Sequence, residues 1–169
     1  MPVTRLEITY RAPFESGKNF GEVGSYTYLE GKAHFQIDPS NDANEKIVDI
    51  DLAPNNSKNQ VEFSADFSML FPSDHSKGKR TLFLDVVNRG NRTVLSGFNK
   101  SSRTASLLSP FTSGNGFLMN EGYTIVFCGW QADVPPIPGL ISLNAPEAVA
   151  DGKPLLGKIM NQYQANDDV

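Results

Sequence analysis

Two apolar runs, separated by a polar turn and a helix-like stretch, constrain the fold of this chain most. The first run, residues 81–87, is nearly continuous in apolar side chains and leads into a polar turn at residues 88–91. The second run, residues 123–128, follows a helix-like stretch at residues 116–122. This order predicts a βαβ unit with a parallel pair of strands that is covered on both faces. Open α/β sheets place ligands at the carboxyl ends of such strands, and the polar turn lies there.

The first part of the chain has a different pattern. Apolar and polar side chains alternate there, which is typical of strands with one face in water. The alternating stretches are residues 3–10, 25–37, 47–52 and 61–71. In the last of these, Phe63 and Phe67 belong to one predicted face, while Glu62 and Ser68 belong to the other, wet face. We therefore predict antiparallel pairing in this part of the chain.

The two patterns together predict a β-dominated mixed α/β fold. At 169 residues, one domain is the default expectation. We divide it into an antiparallel section (3–71), a strand-turn-helix-strand section (81–130) and an irregular, proline-rich segment with a tail (131–169). The segment is irregular because Pro135, Pro136 and Pro138 exclude a regular helix or a central strand. The alternative is an all-β sandwich, in which the two apolar runs would pair antiparallel.

Composition excludes several classes of protein. The net charge is −4 and no dense cluster of Lys and Arg occurs, so we expect no nucleic-acid partner. No apolar run is long enough to span a bilayer, and the N-terminus lacks the basic and apolar stretches of a secretory signal. We therefore expect a cytoplasmic protein that does not bind membranes. The single cysteine, Cys128, lies in an apolar run and is predicted to be a buried structural thiol.

An ordered series of short motifs resembles one bacterial family. The motifs include Gly24-Ser-Tyr-Thr-Tyr-Leu-Glu-Gly31, Ile47-Val-Asp-Ile-Asp-Leu-Ala-Pro54, Val61-Glu-Phe-Ser-Ala-Asp66, Val87-Asn-Arg-Gly-Asn91, Gly122-Tyr-Thr-Ile-Val-Phe-Cys-Gly-Trp130 and Gly152-Lys-Pro-Leu-Leu-Gly157. In this order they resemble the amino-terminal part of the "alpha/beta hydrolase domain-containing" proteins. The resemblance implies a hydrolase sheet. In that sheet, residues 81–87 lead into the oxyanion-hole loop and residues 123–128 form the next strand inward.

The resemblance also implies a site. It places Asn88, Arg89, Gly90 and Asn91 where lipases and esterases carry an HGGG-type oxyanion loop. That loop aims backbone N–H groups at a developing alkoxide, and one such donor is worth about 3 kcal/mol of barrier. Glycine permits the close approach, and this loop contains only Gly90. These four residues are the oxyanion-loop candidate, and the alternative is a tight turn with polar side chains.

No catalytic residue is identified in the sequence. A nucleophile elbow has the pattern G-x-S-x-G, whereas the only glycines with that spacing, Gly17 and Gly21, flank Asn19. The family order is Ser, then Asp or Glu, then His, so neither His34 nor His75 fits the position of the catalytic base. We expect the non-catalytic, N-terminal portion of an esterase-type protein, not competent for hydrolysis alone.

An alternative function belongs to a different class. The chain would then be a stand-alone binding or dimerisation module. In both cases half a sheet leaves an exposed edge, and bare edges pair readily with other strands. The expected partner at that edge is a second copy of the chain or the missing C-terminal catalytic region.

The sequence predicts neither a cofactor nor a metal. It has too few His and Cys for a zinc site and lacks a glycine-rich phosphate loop. The oxygen-bearing side chains of Asp38, Ser40, Asp42 and Asn44 alternate as in a calcium loop. However, Ala43 occupies the place of the required glycine, and the closing Glu is out of register.

Overall fold

The computed structural model describes residues 3–102, 112–158 and 160–161. The strands are β1 (Val3–Pro13), β2 (Asn19–Phe20), β3 (Gly24–Ile37), β4 (Val61–Pro72), β5 (Leu82–Val86), β6 (Thr124–Cys128), β7 (Leu143–Asn144), β8 (Val149–Ala150) and β9 (Lys153–Pro154). The α-helices in these ranges are α1 (Val94–Phe98) and α2 (Phe117–Asn120).

A seven-stranded mixed sheet dominates the fold. Its strand order is β1-β3-β4-β6-β5, with β2 beside β3 and β7 beside β4. The pairs β1–β3 and β4–β6 are antiparallel, whereas β5 and β6 are parallel. This arrangement confirms the β-dominated mixed α/β fold. It excludes the all-β sandwich, because that alternative required β5 and β6 to run antiparallel.

One face of the sheet carries the main hydrophobic core. Both α-helices belong to the connection between β5 and β6, and their apolar side chains pack onto this face. The core includes Val94, Leu95, Leu118 and Met119 from the helices with Leu70, Ile125 and Phe127 from the strands. We call this the core face.

Solvent exposure on the opposite face of the sheet, which we call the open face, differs from the sequence-based prediction. Two rows cross β5, β6 and β4 in register on this face: Leu84–Val126–Met69 and Val86–Cys128–Phe67. The apolar runs predicted strands covered on both faces. Instead, Leu82, Leu84 and Val86 are exposed, because β5 is the last strand of the order and the described helices lie on the core face.

Strand β4 also differs from the prediction of one wet face. Ser68 lies on the face predicted to be wet, yet it and its neighbour Leu70 are completely buried. These side chains are buried because β4 lies between β3 and β6 in the middle of the sheet. Alternation therefore located the strand correctly but wrongly predicted a wet face, because Ser68 is buried just as Ala65 and Phe67 of the apolar face are.

Other local predictions have mixed outcomes. Residues 47–52, predicted as a strand, contain a 3₁₀ helix at Ile50–Leu52. Asp49 precedes it with a left-handed φ of 57°, a backbone conformation that ends an extended strand. The sequence also predicts a short helix at residues 103–108 and a last strand at residues 159–163. The helix lies outside the described residues, as does most of that strand.

Contacts divide the chain into two compact units. The first comprises Met1–Ile37 and Glu62–Ala145, and the second comprises Asp38–Val61 and Pro146–Val169. The first unit contains nearly all of the seven-stranded sheet, and the second contains the two-stranded sheet β8–β9. The single domain stays a prediction. None of the helices in the described part of the chain is long and apolar enough to cross a membrane.

Candidate functional site

The oxyanion-loop candidate forms a tight turn at the carboxyl end of β5. The Asn88 N–H donates to the Asn91 carbonyl at 3.2 Å, and the Asn91 N–H donates back to the Asn88 carbonyl at 3.0 Å. The two central residues, Arg89 and Gly90, have φ angles of 48° and 81°. Positive φ at both central positions is the geometry of a type I′ turn, which suits Gly90 and strains Arg89.

The backbone donors of this turn are mostly engaged. Asn88 and Asn91 donate to each other, and the Arg89 N–H donates to the side-chain oxygen of Gln131 at 2.8 Å. An oxyanion that accepts from Asn88, Arg89 or Asn91 would have to replace one of these bonds. The oxyanion role therefore stays a prediction, and the geometry observed is that of a well-bonded polar turn.

The segment after β6 packs against the turn and forms hydrogen bonds with it. The Arg89 guanidinium donates to the Asp133 carboxylate at 2.9 Å and to the Asp133 carbonyl at 3.2 Å. A Cβ atom at Gly90 would lie 2.8 Å from a methyl carbon of Val134 and 3.0 Å from the Ile141 carbonyl oxygen. Glycine is therefore required here by space as well as by φ. The proline-rich segment, although irregular, has a defined packing role at this site.

A buried carboxylate fixes the helix that follows the turn. Asp85 is the polar residue within β5, and its side chain is buried on the core face. Its carboxylate accepts hydrogen bonds from the Thr93 N–H at 2.7 Å and the Val94 N–H at 2.8 Å. A carboxylate at a helix start satisfies free N–H groups and favours the helix dipole. Asp85 thus determines where α1 begins, and its signal in the sequence is a charge inside an apolar run.

A second group of polar side chains surrounds Arg92, just after the turn. The Arg92 guanidinium donates to the Tyr28 hydroxyl at 2.7 Å, the Ser68 hydroxyl at 3.3 Å and the Gly139 carbonyl at 3.1 Å. The carboxylate of Glu30 lies 3.6 Å away and also accepts a hydrogen bond from Tyr28. We call these side chains the Arg92 cluster. It joins β3 and β4 to the turn and to the proline-rich segment.

The Arg92 cluster favours a structural role over acid–base chemistry. Burial raises the pKa of Tyr28 well above its usual value, and Arg92 opposes that effect only in part. Tyr28 therefore stays protonated and donates to Glu30. A neutral phenol between an arginine and a carboxylate holds strands together but supplies no general base near neutral pH.

A third polar group involves a buried serine. The Ser113 hydroxyl donates to the Glu15 carboxylate at 2.6 Å and accepts from the Lys18 ammonium at 2.9 Å. The buried amide of Asn99 donates to the Ser113 carbonyl at 2.9 Å. A serine beside a lysine resembles part of a nucleophilic pair. However, Lys18 is ion-paired with Glu15 at 3.1 Å, and Ser113 has no exposed surface for a substrate to reach.

Acid is expected to weaken this third group. Burial acts to raise the pKa of Glu15, but hydrogen bonds from Ser113 and Lys18 outweigh it and hold that pKa below its usual range. The carboxylate therefore stabilises the fold above its unfolded pKa, and this contribution disappears as pH falls through the folded pKa. We expect Glu15→Gln to lower the free energy of unfolding by about 1–2 kcal/mol at neutral pH. In urea titrations the difference from wild type should shrink toward acidic pH, and a pH-independent difference would contradict this account.

The two histidines and the cysteine occupy unremarkable positions. His34 lies 3.1 Å from the Glu7 carboxylate, and His75 stacks on Phe71 with ring centroids 5.4 Å apart. Neither is among the polar partners of Ser113. Cys128 is half-buried rather than buried, and burial raises the pKa of its thiol, which disfavours the reactive thiolate.

The part of the chain that the structure describes contains no group of three or more His, Cys, Asp or Glu side chains arranged to hold a metal ion. In the loop with alternating oxygens, Asp38 accepts from both the backbone N–H and the hydroxyl of Ser40. Its carbonyl also accepts from the Asn44 amide. These oxygens form local turns.

Comparison with known proteins gives no relative. No family model, no curated protein and no solved structure matches this chain.

Proposed function

We propose that this chain is the non-catalytic portion of an esterase-type, α/β-hydrolase-like protein and does not hydrolyse esters alone. One observation supports this proposal most: the polar turn at residues 88–91 directly follows β5, which is parallel to β6 and outside it in the sheet. The family resemblance implies this arrangement for the strand that leads into the oxyanion loop and for the next strand inward. The sequence contains no nucleophile elbow, so the chemistry would come from another part of the protein.

The outer edge of β5 supports the same proposal. Among the strands that the structure describes, β5 ends the strand order and pairs with β6 alone. The outer backbone edge of an end strand is a template for a further strand. In this proposal the edge receives the catalytic region.

The second candidate function is a stand-alone binding or dimerisation module. The exposed apolar side chains of β5 favour it, because a surface of this kind is usually covered by a partner. Cytoplasmic location remains a prediction from the sequence.

An esterase assay tests the lack of activity. We expect no turnover of a short-chain activated ester above the buffer rate, because the sequence contains no nucleophile elbow and Ser113, whose hydroxyl contacts Lys18, is completely buried. Ser113→Ala is the matched control, since Ser113 is the serine that contacts a lysine and a carboxylate. Turnover that is present in the wild type and absent in Ser113→Ala would overturn the proposal.

A further inference from the structure

Two pairs of residues in this chain can rearrange their own backbone: Asn115-Gly116 and Asp151-Gly152. In such a pair the glycine nitrogen can attack the side-chain carbonyl carbon of the residue before it, since glycine has no Cβ atom to hinder the approach. The product is a cyclic imide, which water opens either to aspartate or to isoaspartate, an isomer whose main chain continues through the side-chain carbon. Near neutral pH an amide is a better electrophile than a carboxylate, so the sequence alone ranks Asn115 as the more reactive residue.

The folded structure restrains both reacting groups of Asn115-Gly116. The Gly116 N–H donates to the Ser113 carbonyl at 2.9 Å, and the Asn115 side-chain oxygen accepts from the Phe117 N–H at 3.1 Å. Gly116 is also buried, and a Cβ atom there would lie 2.9 Å from the Phe20 ring. Ring closure would have to break both hydrogen bonds at the start of α2, beside the hydrophobic core. The reaction is therefore limited to molecules in which this region has opened.

The pair Asp151-Gly152 has the opposite surroundings. These are the two central residues of the turn between β8 and β9, and their φ angles of 51° and 74° are those of a type I′ turn. Both residues are exposed, and a Cβ atom at Gly152 would meet nothing within 4 Å. In the part of the chain that the structure describes, neither the Asp151 carboxylate nor the Gly152 N–H forms a hydrogen bond.

The hairpin around this turn is short. Strands β8 and β9 have two residues each and form a two-stranded sheet of their own. A two-stranded hairpin is only marginally stable in water. Ring closure requires rotation of the Asp151 backbone out of the turn conformation, and this hairpin is what opposes the rotation. Opening is therefore much easier here than at the start of α2.

We propose that Asp151 is the site at which the folded chain forms isoaspartate, ahead of Asn115. The Gly152 nitrogen bonds to the side-chain carbonyl carbon of Asp151, and the carboxyl OH leaves as water with the proton of that N–H. A second water molecule then opens the imide at the other carbonyl carbon, so the net reaction is an isomerisation without an enzyme, oxidant or cofactor. The free α-carboxylate of the product is the group that an isoaspartate methyltransferase recognises. The inference does not depend on the proposed function.

Incubation of the full chain near neutral pH, folded in buffer and unfolded in urea, tests the inference. A glutamate-specific protease cuts after Glu121 and Glu147, which places Asn115 and Asp151 in different peptides. Methyl transfer by an isoaspartate methyltransferase detects the isomer, and electron-transfer fragmentation locates it. In the folded chain we expect isoaspartate at position 151 and an unchanged Asn115. In urea the order should reverse, because the hydrogen bonds that restrain Asn115 are lost.

Asp151→Glu should abolish the isoaspartate of the folded chain, since the longer side chain closes the ring much less readily. Asp49→Glu is the matched control. Asp49 is also exposed and has a φ of 57°, but Ile50 follows it instead of glycine, so this variant should keep the wild-type signal. Far-UV circular dichroism checks that both variants remain folded.

Three results would overturn the inference. The first is a folded chain that reacts at Asn115 as fast as at Asp151 or faster. The second is an unmodified Asp151 in the folded chain after the time in which the chain in urea has converted most of its Asn115. The third is an isoaspartate signal that persists in Asp151→Glu, which would assign the modification to another residue.

Discussion

Gly129→Ala should destabilise the protein by about 3 kcal/mol, because the added methyl group has no space. A Cβ atom at Gly129 would lie 2.4 Å from the carbonyl oxygen of Ser142 and 2.7 Å from its nitrogen. These are backbone atoms and cannot rotate away. The backbone on both sides is also fixed by Asp66, whose carbonyl accepts from Gly129 at 2.8 Å and whose N–H donates to Ser142 at 2.9 Å.

Gly97→Ala is the control for this substitution. Gly97 lies in α1, and a Cβ atom there meets nothing within 4 Å. Alanine should leave stability unchanged or raise it by roughly 0.5–1 kcal/mol, since it restricts the unfolded chain. The measurement is urea unfolding followed by circular dichroism, with midpoints compared at constant slope. Equal midpoints for the two alanine variants would contradict the close approach at Gly129.

Arg92→Met should cost about 2–4 kcal/mol, because it removes the donor at the centre of the Arg92 cluster. The side chain of Arg92 is 13% exposed. Methionine keeps the length of the side chain but leaves the Ser68 hydroxyl and Gly139 carbonyl without this donor. It also leaves the Glu30 carboxylate without its cation. Arg92→Lys should recover only part of the loss, because an ammonium lacks the planar fork that reaches several acceptors.

Arg89→Met is the matched control for Arg92→Met. Arg89 is three residues earlier and also pairs with a carboxylate, but its side chain is 55% exposed and that of Asp133 is 67% exposed. Exposed ion pairs contribute roughly 0–1 kcal/mol, so this variant should unfold close to the wild-type midpoint. Thermal and urea unfolding of both variants give the comparison. An equal loss in the two would show that Arg92 acts only as a surface charge.

Sequence pattern was sufficient for the long strands β1, β3 and β4 and for the relative direction of β5 and β6, but it wrongly predicted a strand at residues 47–52. The nearly continuous apolar runs indicated this parallel pair, and the structure contains it. The sequence pattern did not predict which side chains are exposed to solvent. Leu84 and Ser68 show why: an apolar side chain is exposed on an edge strand, and a polar one is buried in a central strand. Strand order determines which side chains are exposed to solvent. The alternation of residues within one strand carries no information about strand order.

The polar groups of the site were largely missed for a related reason. Tyr28 and Arg92 are far apart in sequence and neither belongs to a recognised motif, so only the pairing of β3 with its neighbours brings them together. Asp85 is different, because a charge inside an apolar run is a local signal of a buried, partnered carboxylate. The turn at residues 88–91 was located correctly, since its polar residues follow the end of a strand directly.

The parallel pairing of β5 with β6 also has a kinetic consequence. Strands β1 and β3 are connected by a short segment, whereas Leu82 meets Thr124 only after the whole helical crossover has been closed into a loop. Closing a long loop costs chain entropy before any contact repays it, so such pairs form slowly. During folding, we therefore expect the β5–β6 pair to form after the local β1–β3 pair.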